Sequence, residues 1–176
     1  NGSVVFFDKD GIFLNQVSVG AMPDMITFSP NGNLVLTANE GEPSDDYTVD
    51  PEGTVSIIDI TTGVASITQT NVTTVNFNSF NADLTALKLQ GIRIYGANSA
   101  TVSNDFEPEY ISFSADGNTA YVTLQENNAI AVLDIATKAF TAIRPLGLKD
   151  HNTLTTGLDA TDQGGIVNIT NLPVKG

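Results

Sequence analysis

Carboxylates carry most of the chemistry this sequence can do. The candidate ligands are Asp24, Glu40, Glu42, Asp45, Asp46, Asp50, Glu109, Glu126 and Asp150. Crowded acids raise one another's pKa unless a cation compensates them. A set of hard oxygen donors suits Ca2+ first, with Mg2+ or Zn2+ as alternatives. The expectation is one or more divalent-cation sites; the bland alternative is a solvated acidic loop that holds no ion. Asp45-Asp46-Tyr47-Thr48-Val49-Asp50 lacks the glycine and terminal glutamate spacing of an EF-hand loop. Asp8-Lys9-Asp10-Gly11 has the look of a calcium-loop fragment but reads more simply as a hairpin turn. The single histidine, His151, stands beside Asp150 and is a weak candidate for proton transfer or metal binding. There is no Gly-x-Ser-x-Gly turn, no phosphate-binding loop and no dinucleotide fingerprint.

These acids need strands and turns to bring them together. Period-two alternation dominates the chain, and helical periodicity is nearly absent. One phrase is written twice. Pro23-Asp24-Met25-Ile26-Thr27-Phe28-Ser29-Pro30-Asn31-Gly32 is followed by Leu34 to Glu40. Pro108-Glu109-Tyr110-Ile111-Ser112-Phe113-Ser114-Ala115-Asp116-Gly117 is followed by Ala120 to Glu126. Each copy runs on into a strand ending in Asp, Thr54 to Ile60 and Ala129 to Ile135, and then a fourth strand, Val64 to Gln69 and Phe140 to Ile143. A four-stranded antiparallel meander is the unit of a β-propeller blade. The fold expected is therefore all-β, two to three blades of a larger propeller, in a single domain over 1–176. Pro23 and Pro108 stand 85 residues apart, about twice a typical blade repeat. Insertions at 41–53 and 71–107 account for the excess. Within the second, Asn81 to Gln90 reads as one short helix, capped by Asn81 and ended by Gly91. The tail, 147–176, is irregular. In a blade, the loops before the first strand, between second and third, and after the fourth open on one face. That geometry gathers Asp24, Glu40, Glu42, Asp45, Asp46, Asp50, Glu52, Asp105, Glu107, Glu109, Glu126, Asp150 and His151 on one rim.

Composition narrows the partners. The chain has 176 residues, no cysteine and a formal net charge of −13. Such a field repels nucleic acid and anionic membrane surfaces and attracts cations. No apolar run approaches a membrane span, and no signal peptide is visible. A start at Asn1-Gly2-Ser3, without Met, reads as a mature product or a fragment. Few blades leave sheet edges open, to be covered by other blades, another chain or a surface-layer partner. Glycosylation sequons at Asn1, Asn71 and Asn168 matter only on a eukaryotic secretory route.

Longer phrases carry a resemblance. Gly20 to Met25, Ala38 to Tyr47, Asp50 to Gly53, Glu107 to Ile111, Leu124 to Ala129 and Lys149-Asp150-His151 resemble the choice-of-anchor I family, over about Gly20 to Pro173. That bacterial exported family is related to mesenchyme-specific cell-surface glycoproteins. The resemblance implies a secreted, periplasmic or surface-attached propeller of the seven-bladed type, from longer chains often bearing a C-terminal anchoring signal. Members are sometimes labelled alkaline phosphatase-like or phytase-like. Three functions follow: a cation-binding surface protein, a metal-dependent phosphoesterase, and an interaction scaffold. The second needs positive groups for phosphate. Lys88, Arg93, Arg144 and Lys149 form no cluster in sequence, so the first is favoured.

Overall fold

The computed structural model describes residues 1–96 and 99–148. Asn1–Pro145 forms one compact unit, which carries every element described here; Leu146–Gly176 forms another. The first unit opens with a hairpin, β1 (Ser3–Phe7) and β2 (Phe13–Ser18). A four-stranded meander follows: β3 (Pro23–Phe28), β4 (Leu34–Asn39), β5 (Thr54–Asp59) and β6 (Val72–Asn76). Two short helices, α1 (Leu84–Leu89) and α2 (Val102–Asp105), lead to a second meander. Its strands are β7 (Pro108–Phe113), β8 (Thr119–Leu124), β9 (Ala129–Asp134) and β10 (Ala139–Pro145). All neighbouring strands are antiparallel, and β3 lies beside β7. The architecture is part of a β-propeller, two full blades preceded by the end of another.

Burial explains the strand sequences. The first blade is covered on both faces. Leu36, Ala38, Val55 and Ile57 pack with Val122, Ala131 and Leu133 of the second blade. Val35 and Ile58, on the opposite face, pack under Val4, Phe6 and Val17 of the hairpin. A strand buried on two sides reads as an unbroken apolar run, as β4 and β5 do. The second blade buries alternate residues of β9, in the pattern of a strand covered on one side. Phe77, just beyond β6, stacks on Phe140 at 4.0 Å and meets Phe106 edge-on at 5.2 Å. Burying such a ring contributes about 2–3 kcal/mol.

Two local expectations are corrected. The fourth strand of the first blade is Val72–Asn76, not Val64 to Gln69. Gly63, at φ 87°, turns the chain into the 3-10 turn Val64–Ser66, and a second 3-10 turn follows at Gln69–Asn71. Thr68 and Asn71 close that second turn as a capping box. The segment instead clamps the hairpin: Asn15 Nδ2 donates to the carbonyls of Val64 and Ile67, and Gln69 exchanges two hydrogen bonds with the Ser18 backbone. The expected helix does form and Gly91, at φ 89°, follows it, but it begins at Leu84 after a 3-10 stretch, Asn78–Asp83. Asn81 is no cap. Its side chain bonds Asn78, the Ser103 hydroxyl and the Ser103 amide, joining that stretch to α2.

Candidate functional site

The loop from Glu40 to Gly53 forms one wall of a cavity of about 480 Å3. It leaves β4 through Gly41, at φ 69°, while the Glu40 and Gly41 amides donate to the carbonyls of Met22 and Ala21. Its middle folds as a turn that the two blades also use between their first and second strands. In Ser29–Leu34, Ser114–Thr119 and Ser44–Val49 the serine hydroxyl donates to an Asx oxygen two residues on, and accepts the amide five residues on. The left-handed residue is Gly32, Gly117 and Tyr47 respectively, with φ of 71°, 72° and 54°. A tyrosine there carries strain of about 1 kcal/mol, and its ring packs against Tyr95 at 6.0 Å.

The far wall is hung on Asn127, which is 2 % exposed. Its Nδ2 donates to the carbonyls of Arg93 (3.0 Å) and Asp105 (2.8 Å) and to Asp105 Oδ2 (3.1 Å). Its Oδ1 accepts the Glu107 amide at 3.2 Å. Asp105 in turn accepts the amides of Tyr95 and Gly96. Asn104 Nδ2 donates to the Asp50 carbonyl, tying this wall to the loop opposite. One buried amide thus fixes Arg93, Asp105 and Glu107, joining two segments to the β8–β9 turn that carries Asn127.

Glu40, Glu42, Asp45, Asp50, Asp105, Glu107 and Glu126 line the cavity, with Arg93 as the cation among the described residues. Arg93 Nη1 donates to the carbonyl (3.0 Å) and to Oε2 (3.2 Å) of Glu126. The excess charge is felt. Burial, then Glu40, Glu126, Asp105 and Glu42, push the Glu107 carboxyl up to about 7. Burial, then Glu42, Asp24 and Glu126, raise Glu40. Burial, then Glu40, Asp24 and Glu126, raise Glu109. Burial, then Asp105, raises Asp50. Turn acids behave oppositely. Hydrogen bonds from Thr48 and Ser44 hold Asp46 below the usual range, and bonds from neighbouring residues do the same for Asp59, Asp116 and Asp134.

The expected ligands therefore separate into groups. Glu40, Glu42, Asp45, Asp50 and Glu126 share the cavity. Asp24 and Glu109 stand outside its lining but within electrostatic reach of Glu40. Asp46 is the anchor of the Ser44–Val49 turn. Asp150 and the weak catalytic candidate His151 lie outside the described residues. The Asp8 carboxylate accepts the amides of Asp10 and Ile12, the work of a hairpin turn. Glu107 and Asp105 were recognisable as rim acids but not as site residues. The sequence offered Arg93 only as a scattered positive group and Asn127 only within a resemblance phrase, and it did not single out Tyr95. Among the described residues, no three acidic or histidine side chains close on one point in the manner of a metal cage.

The profile of the choice-of-anchor I domain matches residues 1–176. The chain belongs to that family. No curated protein matches it. Among solved structures, it is similar to the periplasmic gluconolactonase PpgL of Pseudomonas aeruginosa, at 16% identity and a TM-score of 0.41. The match covers 82% of this chain and 35% of that one, so the choice-of-anchor I chain spans about a third of the lactonase's length. Nothing of that enzyme's activity is carried over. No described helix of this family member is long and apolar enough to cross a membrane.

Proposed function

We propose that this choice-of-anchor I chain serves an exported protein, secreted, periplasmic or held at the cell surface, whose acid-lined cavity binds a divalent cation, Ca2+ first. The carrying observation is seven carboxylates and one arginine among the described residues of one cavity's lining, with Glu107 pushed up to about 7. Family membership supports export. The donors among the described lining are oxygens, with no histidine or cysteine, which favours Ca2+ or Mg2+ over Zn2+. The lining spreads its acids around the cavity and does not close three of them on a point. That suits a hydrated ion held with the modest affinity of extracellular calcium modules, roughly 0.1–1 mM.

Glu40, Glu42, Glu107 and Glu126 are the residues that would hold the ion. A bound Ca2+ supplies the positive charge that lets neighbouring carboxylates ionise together. Glu107 gives up its proton on binding. Asp105 stays committed to the amides of Tyr95 and Gly96 and keeps the far wall in place. Arg93 stays on Glu126 and screens it. A phosphoesterase gains less support, because a phosphate entering this cavity meets acids on most sides. An interaction scaffold has no observation of its own here.

Thermal melting tests the reading. At about pH 8, Ca2+ at tens of times its dissociation constant stabilises by about 2 kcal/mol. That is a rise of several degrees for a chain of this size. Mg2+ should give less, and chelator should reverse the shift. A melting temperature indifferent to Ca2+, Mg2+ and chelator removes the proposal.

A further inference from the structure

The cavity has features that a simple ion does not use. At about 480 Å3 it falls in the range of sites for small organic ligands, roughly 300–1,000 Å3. Two aromatic rings line it, Tyr47 from the loop wall and Tyr95 from the far wall. Their centroids stand 6.0 Å apart and their planes are tilted by 48°, so the pair bridges the two walls. Tyr47 is 37 % exposed and Tyr95 66 %, which is no core contact. Each ring is placed by its backbone. Tyr47 holds the left-handed position of its turn, at φ 54°, where the two sister turns have Gly32 and Gly117. An outlier of that kind points to a role for the side chain it carries. The Tyr95 amide donates to Asp105 Oδ2 at 3.1 Å.

The charges are set out to match. Glu40 and Glu42 belong to the loop wall and Glu107 to the far wall. Asp105 and Glu126 are committed to the Tyr95 and Gly96 amides and to Arg93, whereas the carboxylates of Glu40, Glu42 and Glu107 meet no donor among the described residues. No three of the described acids converge on one point. Acids on two walls, joined by an aromatic bridge, fit a ligand with separated positive charges and an apolar stem better than they fit a point charge. Aliphatic ammonium groups, with a pKa of about 10.4 as in lysine, keep their charge at neutral pH. They make charge-assisted hydrogen bonds to carboxylates and are drawn to the faces of tyrosine rings.

We propose that this cavity binds a linear aliphatic polyamine, with one ammonium group at Glu40 and Glu42, another at Glu107, and the methylene stem along Tyr47 and Tyr95. The second acid wall selects against a monoamine, which leaves it unmatched. The rings select for an organic cation, since a hydrated ion gains little from them. The polyamine uses the same acids as the divalent cation and competes with it, but the inference does not require the ion.

The test is calorimetric titration of the full chain with spermidine, at about 0.15 M salt so that diffuse attraction to the net charge of −13 is screened. Saturable binding is expected, roughly tenfold or more tighter than that of butylamine. Tyr47→Gly, which matches the sister turns, should melt no lower than the parent, weaken spermidine roughly three- to tenfold and leave Ca2+ binding unchanged. Tyr95→Leu, at an exposed position, should do the same. A chain that binds spermidine and ignores Ca2+ sustains this inference and removes the cation reading; the reverse result removes this inference alone. No saturable heat from spermidine, butylamine binding as tightly, or undiminished spermidine binding in both tyrosine variants would each overturn the proposal.

Discussion

Glu107 is where the electrostatics of this molecule concentrate. Its ordinary value of 4.5 is raised to about 7 in the folded chain, so it contributes stability that is complete below about 4.5 and lost as pH rises through about 7. Glu107→Gln keeps the shape and removes the charge. The variant should melt with the parent near pH 5 and above it near pH 8; a difference that stays flat across that range contradicts the assignment. The sequence placed Glu107 on the right rim but could not rank it, because its shift comes first from burial, which no neighbouring letter reveals. Asp46 shows the converse. It sits between Asp45 and Tyr47 in an acidic stretch and looks like a ligand, yet it anchors a turn. The turn itself was hidden because Tyr47 stands where its two counterparts have glycine.

At the scale of elements, the repeated phrase made the strands legible and the connections much less so. Asn31-Gly32 and Asp116-Gly117 are turn signals with a physical cause, and they act as such. Val64 to Gln69 has the alternation of a strand but follows a left-handed glycine and ends in a capping box, and local hydrogen bonds outweigh β-propensity there. The insertion and α2 are joined by a close approach that one glycine permits. The Gly53 amide donates to the Ser103 carbonyl at 3.0 Å, and a Cβ on Gly53 would run into the Phe106 carbonyl. Gly53→Ala should therefore cost about 2 kcal/mol or more and move the Asp105 and Glu107 wall. Chemical denaturation checks it. A variant as stable as the parent would show that α2 is not seated on this loop as described.

Across the whole molecule, two blades stand side by side and share one core, with Phe77, Phe106 and Phe140 at the seam. That juxtaposition turns acids separated by up to 86 positions, Glu40 and Glu126, into electrostatic neighbours. The blade repeat made this convergence readable in advance. The second wall was not, since Arg93, Tyr95 and Asn127 meet only through a buried amide network with no sequence signature. The central claim is that these acids take up a divalent cation at the expense of a proton. Calorimetric titration with Ca2+ near pH 7, in two buffers of different ionisation enthalpy, measures both at once. A saturable heat with net proton release, the release lost in Glu107→Gln and the heat lost in a Glu40→Gln, Glu107→Gln double variant, is the predicted result. No saturable heat at millimolar Ca2+, or binding that leaves the proton count and the double variant unaffected, would contradict it.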